Sequence, residues 1–194
     1  MMARAGLTKE RVVAAAADLA DSVGFEHITV AALARGFGVK DASLYAHVRN
    51  LSELRTDVAI LAGLDLADRI ADALAGRAGR DALLAFAHAY RGFALAHPGR
   101  YAATQEAELP ASALDDHPGL RRNLTCTYAL LRGYGLAEPD LTDAGRLLRS
   151  TFHGFVTLEL AGGFRHDRDV DATWSRALEA LHIMLTNWPE RADS

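Results

Sequence analysis

The chain is 194 residues long, half of them hydrophobic and 24 per cent charged, with one cysteine and a formal net charge of -4. At about 100 to 200 residues per domain this allows one or two compact domains, and the composition excludes both a disordered chain and a disulfide-stapled scaffold. The charge excludes a uniformly basic nucleic-acid binder, yet residues 1–50 carry six basic groups against five acidic ones while the rest carries 15 against 20, a slightly basic head on an acidic body.

Apolar residues recur at a helical period along almost the whole chain and alternating β-branched runs are missing, so the expected fold is all-α. Thr8 is placed to cap a first helix. Glu10 sits at its positive end, and Val12, Ala16, Leu19, Ala20 and Val23 form one face before Gly24 stops it. Lys9, Glu10, Arg11, Asp18 and Asp21 interrupt any apolar core of a secretion signal here. Thr29 caps a second, short helix through Val30, Leu33 and Ala34 that Gly36 and Gly38 end, and Val39 to Val48 reads as a third. Beyond Asn50 the helices lengthen, which divides the chain into a head, residues 1–50, and a larger body, residues 51–194.

In that body Leu51 to Ala75 and Asp81 to Ala96 read as helices, separated by Gly76 and Gly79, and Pro98 restarts a short helix through Tyr101. Leu109 to His117 reads as loop or frayed turn and Pro118 to Tyr134 as helix, stopped by Gly135. Cys126, between Leu124 and Leu130, falls on a buried face as an inert packing thiol. Leu141 to Leu160 is apolar on nearly every side and needs neighbours on both. Asp169 caps the last helix, whose stripe runs through Val170, Trp174, Ala177, Leu178, Leu181, Leu185 and Trp188. The longest stretch without Asp, Glu, Lys or Arg, Ala180 to Pro189, falls far short of the roughly 20 apolar residues that span a bilayer. With a single cysteine, this places the expected protein in the cytoplasm.

The stretch from residue 30 to 49 has the layout of a helix-turn-helix. Leu33 and the small Ala34 face inward, Gly38 supplies the turn, and Val39 and Leu44 anchor the second helix. Lys40, Asp41, Ala42, Ser43, Tyr45 and His47 are left on its outer surface, where a helix in a major groove presents side chains to base edges and phosphates. Lys40 suits a phosphate or a guanine edge, Ser43 either base or backbone, and Tyr45 and His47 phosphate oxygens. The same spacing also fits an αα-hairpin that never meets DNA.

The head resembles the TetR family of transcriptional regulators, through Val12, Leu19, Gly24-Phe25, Thr29-Val30, Leu33-Ala34, Gly38-Val39, Leu44-Tyr45, His47-Val48 and Leu54. The body is similar to the WHG-type regulatory domain of one branch, through Arg149-Ser150, Phe152-His153-Gly154, Leu158-Glu159 and Gly162-Gly163-Phe164, with Phe152 at the motif's Trp-like position. The resemblance implies a homodimer that binds a palindromic operator through paired recognition helices and releases it when a small molecule occupies the helical body. It implies that Lys40, Ser43, Tyr45 and His47 contact DNA, with Thr8, Lys9, Thr29 and Arg49 as further contacts to the duplex. Leu51 departs from the family, where many members have a phosphate-binding Lys, and Asp41 repels phosphate unless it accepts from a cytosine amine. Neither a cofactor nor a metal is expected.

An isologous dimer interface repeats one patch on both partners, and the last two long helices offer the most continuous apolar surface. Leu147, Phe155, Leu178, Leu181 and Leu185 are the candidates for it, spacing the recognition helices about 34 to 36 Å apart. Phe86, Tyr90, Tyr101, Tyr128, Phe152, His153 and Trp174 are the candidates to line an effector cavity. Other chemistries fare less well. Asp167, Asp169 and Asp171 alternate like a calcium loop, but Ala172 and Leu178 stand where it needs Gly and Glu. His88, His97 and His153 lack zinc-helix spacing. Two rivals remain: a helical partner- or ligand-binding module without DNA binding, and an all-α hydrolase using Ser150, His153 and Glu159 with no nucleophile elbow.

Overall fold

A computed structural model describes residues 7–110 and 112–189; Arg4, counted above among the basic groups, lies outside them. Among the described residues the chain is all-α, with ten helices and no strand. They are α1 (Lys9–Val23), α2 (Val30–Phe37), α3 (Asp41–Leu44), α4 (Leu51–Leu74), α5 (Gly79–Ala96), α6 (Pro98–Glu106), α7 (Ala113–Asp116), α8 (Arg122–Arg132), α9 (Asp140–Leu160) and α10 (Val170–Thr186). The expected caps form: the Thr8, Thr29 and Asp169 side chains accept from the backbone N–H groups of Arg11 (3.3 Å), Ala32 (3.2 Å) and Asp171 (3.0 Å).

Several boundaries differ from the sequence reading. Gly36 lies inside α2, because glycine in a helix costs only about 1 kcal/mol and its neighbours carry the turn. The third helix is one turn long and ends at Leu44, with turns over residues 45–47 in place of a helix to Val48. Pro118 to Arg121 winds as a 3-10 turn ahead of α8, so the stretch to Tyr134 is not one helix. The stretch before it, read as loop or frayed turn, holds the single turn α7.

Packing divides the chain into two compact units, residues 1–67 with 96–120 and residues 68–95 with 121–194. In the first, the buried faces of α1, α2 and α3 close on Leu54, Val58 and Ala59 of α4 and Ala103 of α6. Ala16, Ala17 and Ala20 are fully buried on α1, and small residues there let α6 come close. A Cβ on Gly99 would lie 2.0 Å from the backbone carbonyl of Ala20, so only glycine fits that contact. Beside it the Asp21 carboxylate accepts from the Arg100 backbone N–H at 2.8 Å and meets His97 Nδ1 at 3.0 Å.

The second unit is built on α5, α8, α9 and α10. Its core holds Phe86, Tyr90, Phe152 and Trp174, each 5 per cent exposed or less. Arg91 on α5 ties the layers together: its guanidinium donates to both Glu159 oxygens on α9 (2.7 and 2.5 Å) and to Asp171 on α10 (2.6 Å), over the rings of Phe155 and Trp174. Arg91 and Glu159 side chains are 13 and 17 per cent exposed. Removing one partner of so enclosed a pair strands the other charge. Arg91→Ala should therefore lower unfolding free energy by about 3 kcal/mol in a urea titration; a midpoint equal to wild type would show that Glu159 is already well solvated.

Candidate nucleic-acid interface

The turn between α2 and α3 follows from backbone bonding. Gly38 is left-handed (φ +67°), its N–H bonds to the Arg35 carbonyl, and Val39 N–H reaches back to the Ala34 carbonyl at 3.0 Å. This paired closure is the Schellman ending. Nothing lies within 4 Å of a Cβ placed on Gly38, so Gly38→Ala meets no clash and bears only the left-handed penalty. It should cost about 1 kcal/mol in thermal or urea unfolding; a loss of several kcal/mol would reveal a contact the geometry lacks.

Leu44 (0 per cent exposed) and Val48 (2 per cent) pin the short third helix to the first unit's core. That anchoring leaves Lys40, Asp41, Ala42, Ser43 and Tyr45 exposed, with Tyr45 at 53 per cent, and His47 half-buried. Thr8 and Thr29 are exposed at their caps. Their hydroxyl oxygens accept from the backbone; the Thr8 hydroxyl also donates to the Glu10 carboxylate, and that of Thr29 keeps its hydrogen to donate elsewhere.

Lys9 is paired inside the protein. Its ammonium lies 2.8 Å from Asp57 and 3.3 Å from Glu53, both on α4, and the Asp57 hydrogen bond, then Glu53, raises its pKa against the opposing effect of burial. Its charge is matched within the protein, although 43 per cent of the side chain remains exposed. The sequence places Lys9 44 residues from Glu53, so no local signal links them. Glu53 also accepts from the Arg49 backbone N–H at 2.8 Å, while Asn50 Oδ1 accepts from Glu53 N–H at 2.8 Å. These bonds cap α4 directly behind the third helix and hold the Glu53 carboxyl below its usual range, the Arg49 N–H being the largest cause. Arg49 itself extends into solvent, its side chain 89 per cent exposed. Leu51 packs partly buried against the first unit's core, which explains a leucine at this place.

The effector candidates divide. Phe86, Tyr90, Phe152 and Trp174 form one chain of rings in the second unit, with centroids 5.6 to 6.5 Å apart at Phe86–Tyr90, Phe86–Phe152, Tyr90–Phe152 and Phe152–Trp174. His153 is half-buried on the same helix as Phe152, and Tyr128 is half-buried on α8 beneath Arg132. Tyr101 is buried in the other unit and is not among these ring contacts. Burial also corrects the dimer candidates: Leu178, Leu181 and Leu185 are 0, 8 and 1 per cent exposed within a single chain, and Phe155 packs on Trp174 at 4.7 Å. Of the five, Leu147 is exposed, at 36 per cent, and the sequence stripe missed Leu158 (51 per cent) and Ile183 (61 per cent).

Two of the three hydrolase candidates have other partners. Glu159 is held by Arg91, and the Ser150 hydroxyl donates to the Leu147 carbonyl at 3.0 Å. Burial pushes the Cys126 thiol up, away from thiolate chemistry. Among the described residues no helix is long and apolar enough to cross a membrane.

A family model described as a tetracyclin repressor-like C-terminal domain matches residues 83–181. The chain is 33 per cent identical over 176 residues to the HTH-type transcriptional regulator YobS of Bacillus subtilis, covering 88 per cent of each chain. It is 36 per cent identical over 171 residues to an HTH-type transcriptional regulator of Mycobacterium tuberculosis, covering 88 per cent of this chain and 78 per cent of that one. Among solved structures it is similar to the TetR-family protein ActR of Streptomyces coelicolor in complex with actinorhodin, with a TM-score of 0.68, 20 per cent identity, and 93 and 97 per cent of the two chains covered.

Proposed function

Because the chain belongs to the TetR family of helix-turn-helix transcriptional regulators, we propose that it is a cytoplasmic homodimeric repressor that binds a palindromic operator and is released by a small-molecule effector. The observation that carries this reading is the outer edge of α3, where Lys40, Ala42, Ser43 and Tyr45 are exposed over a buried Leu44. A helix so held offers donors and a methyl group to a major groove. DNA reading is assigned to residues 1–50, with Lys40, Ser43, Tyr45 and His47 toward the duplex and Thr8, Thr29 and Arg49 toward phosphates. Asp41 is assigned to a cytosine amine.

Residues 51–194 are assigned to dimerisation and effector binding. For the dimer the support is exposed apolar surface on α9 and α10, Leu147, Leu158 and Ile183, in place of the buried leucines. Ile183→Asp should turn the dimer into a monomer in analytical ultracentrifugation, since an interface core rejects an unpaired charge; a dimer that persists would move the interface elsewhere. The effector is assigned to the ring cluster of Phe86, Tyr90, Phe152 and Trp174, with His153 and Tyr128 beside it. ActR, similar in fold, is solved in complex with actinorhodin.

Coupling is assigned to α4, whose residues 51–67 and 68–74 fall in different compact units. An effector that favours one setting of α4 would change the spacing of the two DNA-reading heads, to the extent of its differential affinity. Selecting fragments of the source genome bound by the purified protein tests the whole reading. A shared palindrome with half-sites about one helical turn apart supports it, and no enrichment over salt-insensitive background overturns it.

A further inference from the structure

The turn joining α9 to α10 lines a half-open surface cavity of about 350 Å³ that neither the DNA-reading edge nor the ring cluster uses. Its walls include Phe164, Val170 and Thr173, and Arg165, His166 and Arg168 line it as well. We propose that this cavity is a second binding site, for a small amphipathic anion consisting of a carboxylate on an aromatic or short aliphatic body.

The segment is built, and its folding follows from identifiable bonds. Gly162 takes a left-handed φ of +64° at the end of α9, and the Gly163 N–H returns to the Leu158 carbonyl at 2.7 Å. Phe164 then packs on Phe155 with centroids 4.8 Å apart, which fixes one wall. The backbone N–H of Arg168 donates to His166 Nδ1 at 3.3 Å, leaving Nε2 as the imidazole's other hydrogen-bonding atom. Asp169 closes the segment by capping α10.

Charge selects the occupant. Three cation-forming side chains line the cavity and no carboxylate does. Of the carboxylates on the same segment, Asp169 is occupied by the Asp171 N–H and Asp171 by Arg91, while Asp167 is exposed and outside the lining. Guanidinium groups bind carboxylates through charge-assisted bonds that a neutral analogue cannot replace. Phe164 and Val170, both half-buried, supply apolar contact for the body of such a molecule, and the small patch they offer suits a short one. A bare inorganic anion would leave those walls unused.

The occupant would also be felt in the core. Phe164 touches Phe155, and Phe155 packs on Trp174 at 4.7 Å. The chain has two tryptophans, Trp174 and Trp188, so a Trp188→Phe background leaves Trp174 as a reporter.

The experiment titrates the full-length protein with phenylacetate and with its neutral counterpart phenylacetamide, by calorimetry and by Trp174 emission. Wild type should bind phenylacetate about tenfold or more tightly than the amide, as loss of a charge-assisted bond predicts. The double variant Arg165→Gln/Arg168→Gln should lose that preference. Both side chains are exposed, so circular dichroism should match wild type and the loss can be read as recognition. Val170→Trp, which fills the cavity, should remove phenylacetate binding while operator binding persists. The proposal is overturned if phenylacetate does not saturate, if the amide binds equally well, or if the double variant keeps the preference. None of these outcomes bears on the operator selection, which tests the regulator reading separately.

Discussion

Gly99→Ala is expected to lower the unfolding free energy by about 4 kcal/mol or more, in the range reserved for a named structural breakage. The new Cβ would sit 2.0 Å from the Ala20 carbonyl carbon and oxygen and 2.5 Å from the Asp21 nitrogen. All three are backbone atoms of a helix and cannot rotate aside, so relief requires α6 to part from α1. That parting also strains the Asp21 bonds to Arg100 N–H and to His97. Gly92→Ala on α5 is the control: nothing lies within 4 Å of its Cβ, and alanine favours a helix by about 1 kcal/mol. Urea titration followed by circular dichroism should give opposite shifts for the two variants. Matching midpoints would mean that α1 and α6 do not approach as described.

The double variant Lys40→Ala/Tyr45→Ala is expected to weaken operator binding by about a thousandfold without changing the unfolding midpoint. Each side chain acts once per half-site, so a dimer loses about four hydrogen bonds at about 1 kcal/mol each. Salt adds a second readout. With Lys40 and Arg49 as the phosphate cations of each protomer, about four phosphates are neutralised and the logarithm of affinity should fall with that of salt at a slope near -3.6. Were Lys9 free as well, about six would be neutralised and the slope would approach -5.4. Lys9→Gln should leave the slope unchanged and loosen α1 from α4, since its ammonium serves Glu53 and Asp57. A slope that flattens in that variant would return Lys9 to the DNA.

The sequence shows what short-range chemistry decides. Thr8, Thr29 and Asp169 are cap residues by type, and Gly38 marks its turn because a left-handed closure there needs glycine. The anchors Leu33, Ala34 and Leu44 are buried as the periodic pattern requires. The exposed edge of α3 follows from those anchors, although its single turn does not: the turns after Leu44 are fixed by the return to α4, which propensity does not record. Partners distant along the chain stay hidden. Nothing near Lys9 announces two carboxylates on α4, and nothing near Arg91 announces Glu159 68 residues later. An apolar stripe likewise cannot say which neighbour covers it, and so Leu178, Leu181 and Leu185 read equally well as an interface and as the interior where they lie.

The continuity of α4 through both compact units bears on how this protein can be taken apart. A fragment cut after Asn50 would leave behind Leu54, Val58 and Ala59, together with Ala103 from α6, all of which complete the core beneath the reading edge. Such a stub should be molten, whereas a graft retaining residues 1–67 together with 96–120 keeps its interior filled. Chimeric regulators made by exchanging heads therefore need three junctions, one within α4 and one at each end of the re-entering segment 96–120.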